Sequence, residues 1–363
     1  MNLRNWISFF EDAIFRARAR EWLCFARIIK YFRTKLRTIT SPSPCPSPFP
    51  NLFKFLICAV FLVGCSGQKR HASDLEEWVK DDGKIRVLAT TAIVQDLVAR
   101  VGGDRVKVIA IINGDADPHS YEVVKGDGEK FAYADVVFAN GLMLEHSASM
   151  QYQLKHHKNV VLLGDVLLKK FPDEIIYVDG QLDPHIWMDL SIWSGCIDPI
   201  KEKLGELDPP HKGVYQEGAM SAKKAFLQMD GEIKERMEKI PESKRYLVTS
   251  HDAFNYYVRR YFTPLGDDWR ARMNALQGLA PDEQISVLQV KEIVNYITLH
   301  NIDVIFPESN LSRDSLEKVK EACKRKIRLA KEPLYGDTLG GKSYLEMLEY
   351  DAKVLERNLN DNS

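Results

Sequence analysis

Four short stretches carry side chains that can bind a metal ion or move a proton. They are Asp117-Pro118-His119-Ser120-Tyr121-Glu122, Asp183-Pro184-His185-Ile186-Trp187-Met188-Asp189, Thr249-Ser250-His251-Asp252-Ala253-Phe254 and Leu334-Tyr335-Gly336-Asp337-Thr338-Leu339-Gly340. Each of the first three holds one histidine; the fourth holds a carboxylate between glycines. Neutral imidazole is a nitrogen ligand for transition metals and also a general base. Nothing in the spacing forces these groups together, because the chain has no HExxH and no CxxC pattern. Taken singly, a histidine in such text is more often a cap or a core residue than a ligand. From the residues alone a metal site is one of several readings.

The surrounding text says where these groups stand. Ile85–Thr90, Val106–Ile112, Asp135–Ala139 and Asn159–Leu163 are short runs rich in Val and Ile between polar turns, which predicts buried strands. Helical text lies between them, at Ile93–Val101 and Gly126–Tyr133. This alternation predicts a parallel sheet with helices on both faces. Asp208-Pro209-Pro210 is a helix-start signal. After it Tyr215, Ala219, Ala222, Phe226, Met229, Ile233 and Met237 keep one face apolar over His211–Lys239. A helix of that length spans roughly 40 Å. Strand text resumes at Arg245–Ser250, Asp303–Phe306 and Lys326–Ala330, with helices expected at Ala253–Tyr261, Val287–His300, Asp314–Lys324 and Tyr344–Asn358. The fold class expected is α/β, two lobes joined by one long linker helix, each lobe a mainly parallel sheet flanked by helices. The lobes share a layout but no visible sequence repeat. His119 follows one strand, His251 directly follows another, and Asp337 lies one loop past a third. Ligand sites in open α/β sheets lie outside the carboxyl ends of the strands.

Charge and the N-terminus narrow the setting. The net charge is −1 over 363 residues, but residues 1–50 hold nine basic and three acidic residues, which leaves the remainder at −7. An acidic body without a basic stripe excludes nucleic acid as the main partner. Phe55–Gly64 is a ten-residue apolar run after Lys54. That is half the length of a membrane span and fits the apolar region of a secretory signal. It ends in Leu62-Val63-Gly64-Cys65-Ser66, which resembles the bacterial lipobox and implies lipidation at Cys65. The expected organisation is a leader extension at 1–50, a lipoprotein signal peptide at 51–65, a tether at 66–83, a first metal-binding lobe at 84–208, a linker helix at 209–241 and a second metal-binding lobe at 242–363. The Pro/Ser stretch at 41–48 cannot form a core. Two readings fit residues 1–50: a translation start near Asn51, or a cytoplasmic extension. Cys24, Cys45, Cys58 and Cys65 fall in the leader or at its end, and Cys196 and Cys323 in the body read as two small buried thiols.

Five motifs in order resemble those of the zinc/manganese/iron-type solute-binding proteins of ABC importers, the TroA-like group. Pro118–Glu122 (PHSYE) is similar to the family's PHxYEP, Asn140–Glu145 (NGLMLE) to NGxxLE, and Asp183–Asp189 (DPHIWMD) to DPHxWxD. SHDAF and LYGDTLG are similar to the third and fourth ligand motifs. The resemblance covers roughly residues 84–360. It implies two metal ligands per lobe, His119 and His185 from the first and His251 and Asp337 from the second. Three nitrogens and one carboxylate can close a tetrahedral shell, or a larger one if the carboxylate binds through both oxygens. Glu122, Asp189 and Glu308 are candidates to hold the imidazoles from behind. Val123 stands where the family has proline, and no His/Asp-rich loop lies between His119 and His185. That stretch has only His146, His156 and His157; the His156-His157 pair lies in a polar run and reads as solvated surface, as do His71, His211 and His300.

The resemblance implies capture of one transition-metal ion, zinc first and manganese or iron next, outside the cytoplasm. The ion is then delivered to an ABC permease and its ATPase. The expected setting is the cell envelope, periplasmic or surface-facing, with a lipid on Cys65 and a monomeric body. Two alternatives are a surface adhesin and a metallohydrolase. A hydrolase needs an open coordination position and a general base beside it, and no motif offers that base.

Overall fold

The computed structural model describes residues 75–281 and 285–360; Cys65 and the leader lie outside them. The first sheet has four parallel strands, β1 (Ile85–Thr91), β2 (Val106–Ile112), β3 (Val136–Ala139) and β4 (Val160–Leu162), in the order β2-β1-β3-β4. All four residues of β3 are buried, as expected for a strand covered on both faces. The Thr91 side chain accepts a hydrogen bond from Val94 N and starts the helix Ala92–Gly102. Leu163, expected in β4, instead opens the helix Leu163–Lys170.

Residues 75–79 are helical, and Trp78 is buried against the sheet with its indole N–H on Lys107 O at 2.9 Å. The folded body thus begins inside the stretch expected to be a tether. Leu75, Trp78 and Val79 cover one side of the first sheet.

A small antiparallel hairpin, β5 (Tyr177–Val178) and β6 (Gln181–Leu182), follows; Asp179 and Gly180 both take positive φ at its tip. The long helix runs Lys212–Glu238 and packs on the helices Ala92–Gly102, Ile197–Leu207 and Tyr344–Asn360. Its buried face matches the expected stripe except that Asp230 is buried and Met229 only partly so. Asp230 accepts from Arg260 Nε at 3.0 Å, Arg260 Nη2 at 2.7 Å and Tyr261 Oη at 3.0 Å, which satisfies it.

The second lobe has β7 (Leu247–Thr249), β8 (Met273–Ala275), β9 (Val304–Ile305) and β10 (Arg328–Leu329). β7 pairs with β8 and β9 with β10, both parallel, and Phe306 N bonds Val248 O at 2.9 Å to join the two ladders. In chain order the strands of each lobe lie second, first, third, fourth. The lobes therefore share a topology that no repeat in the sequence reveals. β8 was not expected, because Met273-Asn274-Ala275 lacks an apolar run. The expected helix Ala253–Tyr261 becomes a single turn, Asn255–Tyr257, and a π-helical turn, Val258–Phe262. The wider turn brings Arg260 and Tyr261 together onto Asp230.

The long helix and its neighbour approach closely at Gly218, where a Cβ would fall 2.3 Å from Val101 O. Replacing Gly218 by alanine should force these helices apart at a cost of roughly 1–3 kcal/mol. Thermal unfolding followed by circular dichroism should show a midpoint several degrees lower; an unchanged midpoint would mean that the two helices are free to shift.

Candidate metal centre

The site is built from loops at the carboxyl ends of the parallel strands. His119 lies beyond β2, Asn140 and Glu145 beyond β3, His251 beyond β7, Glu308 beyond β9 and Asp337 beyond β10. His185 follows the hairpin, on the segment Pro184–Met188.

The four residues named from the motifs meet. His119, His185, His251 and Asp337 each offer one ligand atom, and those atoms all lie within 4.8 Å of one another. All four are buried. His119 Nε2 stands 3.2 Å from His185 Nε2. Asp337 Oδ1 is 3.4 Å from His185 Nε2, and Asp337 Oδ2 is 3.2 Å from His251 Nε2 and 3.8 Å from His119 Nε2. His251 Nε2 and Asp337 Oδ1 are buried without a hydrogen-bond partner among the described residues. Three ring nitrogens and a carboxylate turned inward on one point need positive charge there, as protons on the rings or as a cation. A metal ion meets all four at once.

Each imidazole is held differently. Asp183 Oδ1 accepts from His185 N at 2.9 Å and lies 2.7 Å from His185 Nδ1, which keeps a proton on Nδ1 and turns Nε2 towards the centre. The other Asp183 oxygen accepts from Asn255 Nδ2 at 3.0 Å. Glu308 Oε1 accepts from His251 N at 2.8 Å. Its Oε2 is 2.7 Å from His251 Nδ1, an ion-pair contact off the line a hydrogen bond prefers. Asp117 Oδ1 accepts from His119 N at 2.9 Å. The two Asp-Pro-His motifs thus make the same local turn.

Of the residues expected behind the ligands, Glu308 is in contact with one. Glu122 instead hydrogen-bonds Ser149 near the surface. Asp189 caps the helix Leu190–Trp193 through Ser191 N at 2.8 Å, and it lines a separate cavity of about 820 Å³ with Arg260 and Tyr261. That cavity touches none of the four clustered residues. An Asp at the foot of a helix-starting turn is a cap before it is anything else. Sequence reasoning missed Asp183, although it lies in the quoted motif two residues before His185, the spacing of an Asx turn. It also missed Asp351, buried in the helix Tyr344–Asn360, which accepts from Tyr335 N at 3.1 Å and fixes the loop that carries Asp337.

Charge follows geometry. Burial pushes His119 down to about 3, against the pull of Asp337. Burial also opposes charge on His185, but Asp183 and Asp337 outweigh it and raise that ring to about 9. Glu308 and Asp337 likewise overcome burial and hold His251 well above the ordinary range. Asp337 is buried too, yet the imidazoles, His251 foremost, keep its carboxyl well below the usual carboxylate range.

The lobes are stitched together around this centre. Trp187 Nε1 donates to Gly336 O at 2.8 Å and Tyr256 Oη to Asp183 O at 3.0 Å. Gly336 has no room for a side chain, because a Cβ would stand 2.6 Å from Glu308 Oε2 and 3.4 Å from His251 Cε1.

Comparison with known proteins agrees with this architecture. Residues 87–358 match the family model described as zinc-uptake complex component A, periplasmic. The chain is 37% identical over 284 residues to the metal-binding protein YtgA of Chlamydia trachomatis, covering 77% of this chain and 87% of the relative. It is 29% identical over 272 residues to the manganese-binding lipoprotein MntA of Bacillus subtilis, covering 73% and 85%. The crystal structure of Fe(III)-bound YtgA from Chlamydia trachomatis superposes with a TM-score of 0.73 at 37% identity, over 76% of this chain and 97% of that one. On the family match across most of the folded body, the chain belongs to the zinc-uptake complex component A family of periplasmic proteins.

Proposed function

We propose that this chain captures one transition-metal ion outside the cytoplasm through His119, His185, His251 and Asp337 and delivers it to the permease and ATPase of an ABC importer. The convergence of three buried imidazole nitrogens and one carboxylate on a single point carries this reading. Relatives named as metal-binding and manganese-binding proteins support it. The chain is a binding protein, not an enzyme. Neither the adhesin nor the hydrolase reading gains support from any relative. Two ligands come from the lobe spanning 84–208 and two from the lobe spanning 242–363, with the helix between them as a strut.

The donor set accepts zinc, manganese and iron. Three nitrogens and one oxygen favour zinc over Mn²⁺ and Fe²⁺ at equilibrium. The relative solved with Fe(III) makes iron a required arm of any titration. Asp183 and Glu308 act behind the ligands, aiming His185 and His251. The protein works as a monomer tethered to the envelope by a lipid on Cys65, a residue outside the described ones; among those, no helix is long and apolar enough to cross a membrane.

Calorimetric titration of residues 66–363 with Zn²⁺, Mn²⁺, Fe²⁺ and Fe³⁺ should give one site. His185→Ala should weaken it by roughly 100-fold or more, beyond the 10–100-fold typical of partners behind a ligand. Binding as tight as wild type would remove His185 from the ligand set.

Metal binding should also release protons. His185 and His251 are raised, so both carry protons at pH 7, and a bound metal must displace them. Affinity should rise as pH climbs towards about 9, the region where His185 loses its proton, and fall on acidification. The binding enthalpy at pH 7 should depend on the ionisation heat of the buffer; a slope of zero would contradict this.

In cells, Cys65→Ala should move the protein from the membrane fraction to the soluble one. The released form should scatter light as a single protomer. Membrane retention of the variant would remove the lipid from the proposal.

A further inference from the structure

We propose that His146 is an antechamber ligand, a donor at the mouth of the centre that holds the metal briefly on its way in and out. The proposal rests on the metal-binding reading above and adds a residue outside the four.

Among the clustered side chains, His119 is the one with solvent contact, at 2% exposure, while those of His185, His251 and Asp337 are at 0%. His119 is thus the imidazole of the cluster nearest the surface. His146 is exposed and stands directly beside it, with ring centroids 6.3 Å apart. The three inner imidazoles are spaced 5.2, 5.9 and 5.3 Å apart, centroid to centroid. With metal–nitrogen bonds of about 2.0–2.1 Å, two rings sharing an ion have centroids about 5–6 Å apart. At 6.3 Å from His119, His146 stands just outside that range, close enough for the two rings to be brought onto one ion.

Its loop is built to keep it there. Gly141, Leu142 and Met143 all have positive φ, at 77°, 51° and 64°. Such a run in non-glycine residues persists only where the surroundings fix it. Glu145, next to His146, is buried and accepts from Thr90 Oγ1 at 2.5 Å, Asn140 N at 2.8 Å and Gly141 N at 3.1 Å. Asn140 Nδ2 donates to Pro184 O at 2.9 Å, which ties the same loop to the segment carrying His185. The imidazole at 146 is thus an exposed ring on a fixed base, open to an ion arriving from water.

A ligand used only in transit lowers the barrier in both directions. His146→Ala should slow association and dissociation by the same factor, roughly five- to tenfold, and leave Kd unchanged. Stopped-flow mixing with Zn²⁺, and of the Zn²⁺-loaded protein with excess chelator, reads the two rates; calorimetry reads Kd. His146→Asp keeps a donor and should restore most of both rates. Unchanged rates in His146→Ala would overturn the proposal. So would a faster dissociation with a weaker Kd, since the ring would then belong to the resting shell. Wild-type protein that bound no Zn²⁺ would instead remove the metal-capture reading itself.

Discussion

Three imidazole edges and one carboxylate, turned towards one another with water excluded, form an arrangement that is stable only with positive charge at its centre. The carboxylates beside His185 and His251 favour charge on those rings, and the rings in turn favour an ionised Asp337. With cargo the positive charge is the ion's. The surrounding structure meets this constraint by supplying anions from behind. Asp183 and Glu308 each pair with the outward side of an imidazole, and each makes its ring a better donor at the centre. His119 has no carboxylate on its far nitrogen among the hydrogen bonds described. Burial is the largest influence on it, aided by the neighbouring imidazoles and opposed by Asp337, and the balance disfavours charge on that ring.

Parallel sheets make this convergence affordable in structural terms. Apart from the β5–β6 hairpin, the strands of a lobe point the same way, so the loops after β2, β3, β7, β9 and β10 emerge on facing edges. Residues more than two hundred positions apart in the chain then meet over a few ångströms. The long helix holds the lobes at a fixed separation, and its close approach at Gly218 and its buried Asp230 leave little freedom to slide.

The four parallel strands of the first lobe were legible because Val/Ile runs of five to seven residues between polar turns have few other solutions, whereas the two-residue strands β5 and β6 carry no such signal. Those of the second lobe were half legible. β9 and β10 are only two residues each, and β8 has no periodicity to read. The identities of His119, His185, His251 and Asp337 came from motif text, but their meeting did not. That depends on crossovers and on a shared topology that leaves no sequence repeat. Asp183 was hidden by its own plainness, since Asp before Pro reads as a turn residue whether or not a ring lies behind it. Asp189 shows the opposite case: it stands in a motif and could have served either as a partner of an imidazole or as a cap, and the helix it starts claims its oxygens. Trp78 was overlooked because a polar stretch dilutes a single amphipathic turn.

The bonds between Trp187 and Gly336, Tyr256 and Asp183, and Asn255 and Asp183 cross from one lobe to the other without using any of the four central side chains. Parting the halves would break all three whatever the cargo. At about 1 kcal/mol each, and about 1.4 kcal/mol per factor of ten, they alone make a gaping form about a hundredfold rarer. A transporter waiting for an empty carrier to swing wide would meet one seldom. The message that distinguishes full from empty must be written in small displacements at the rim, and most of the work of unloading then falls to the machine that burns nucleotide.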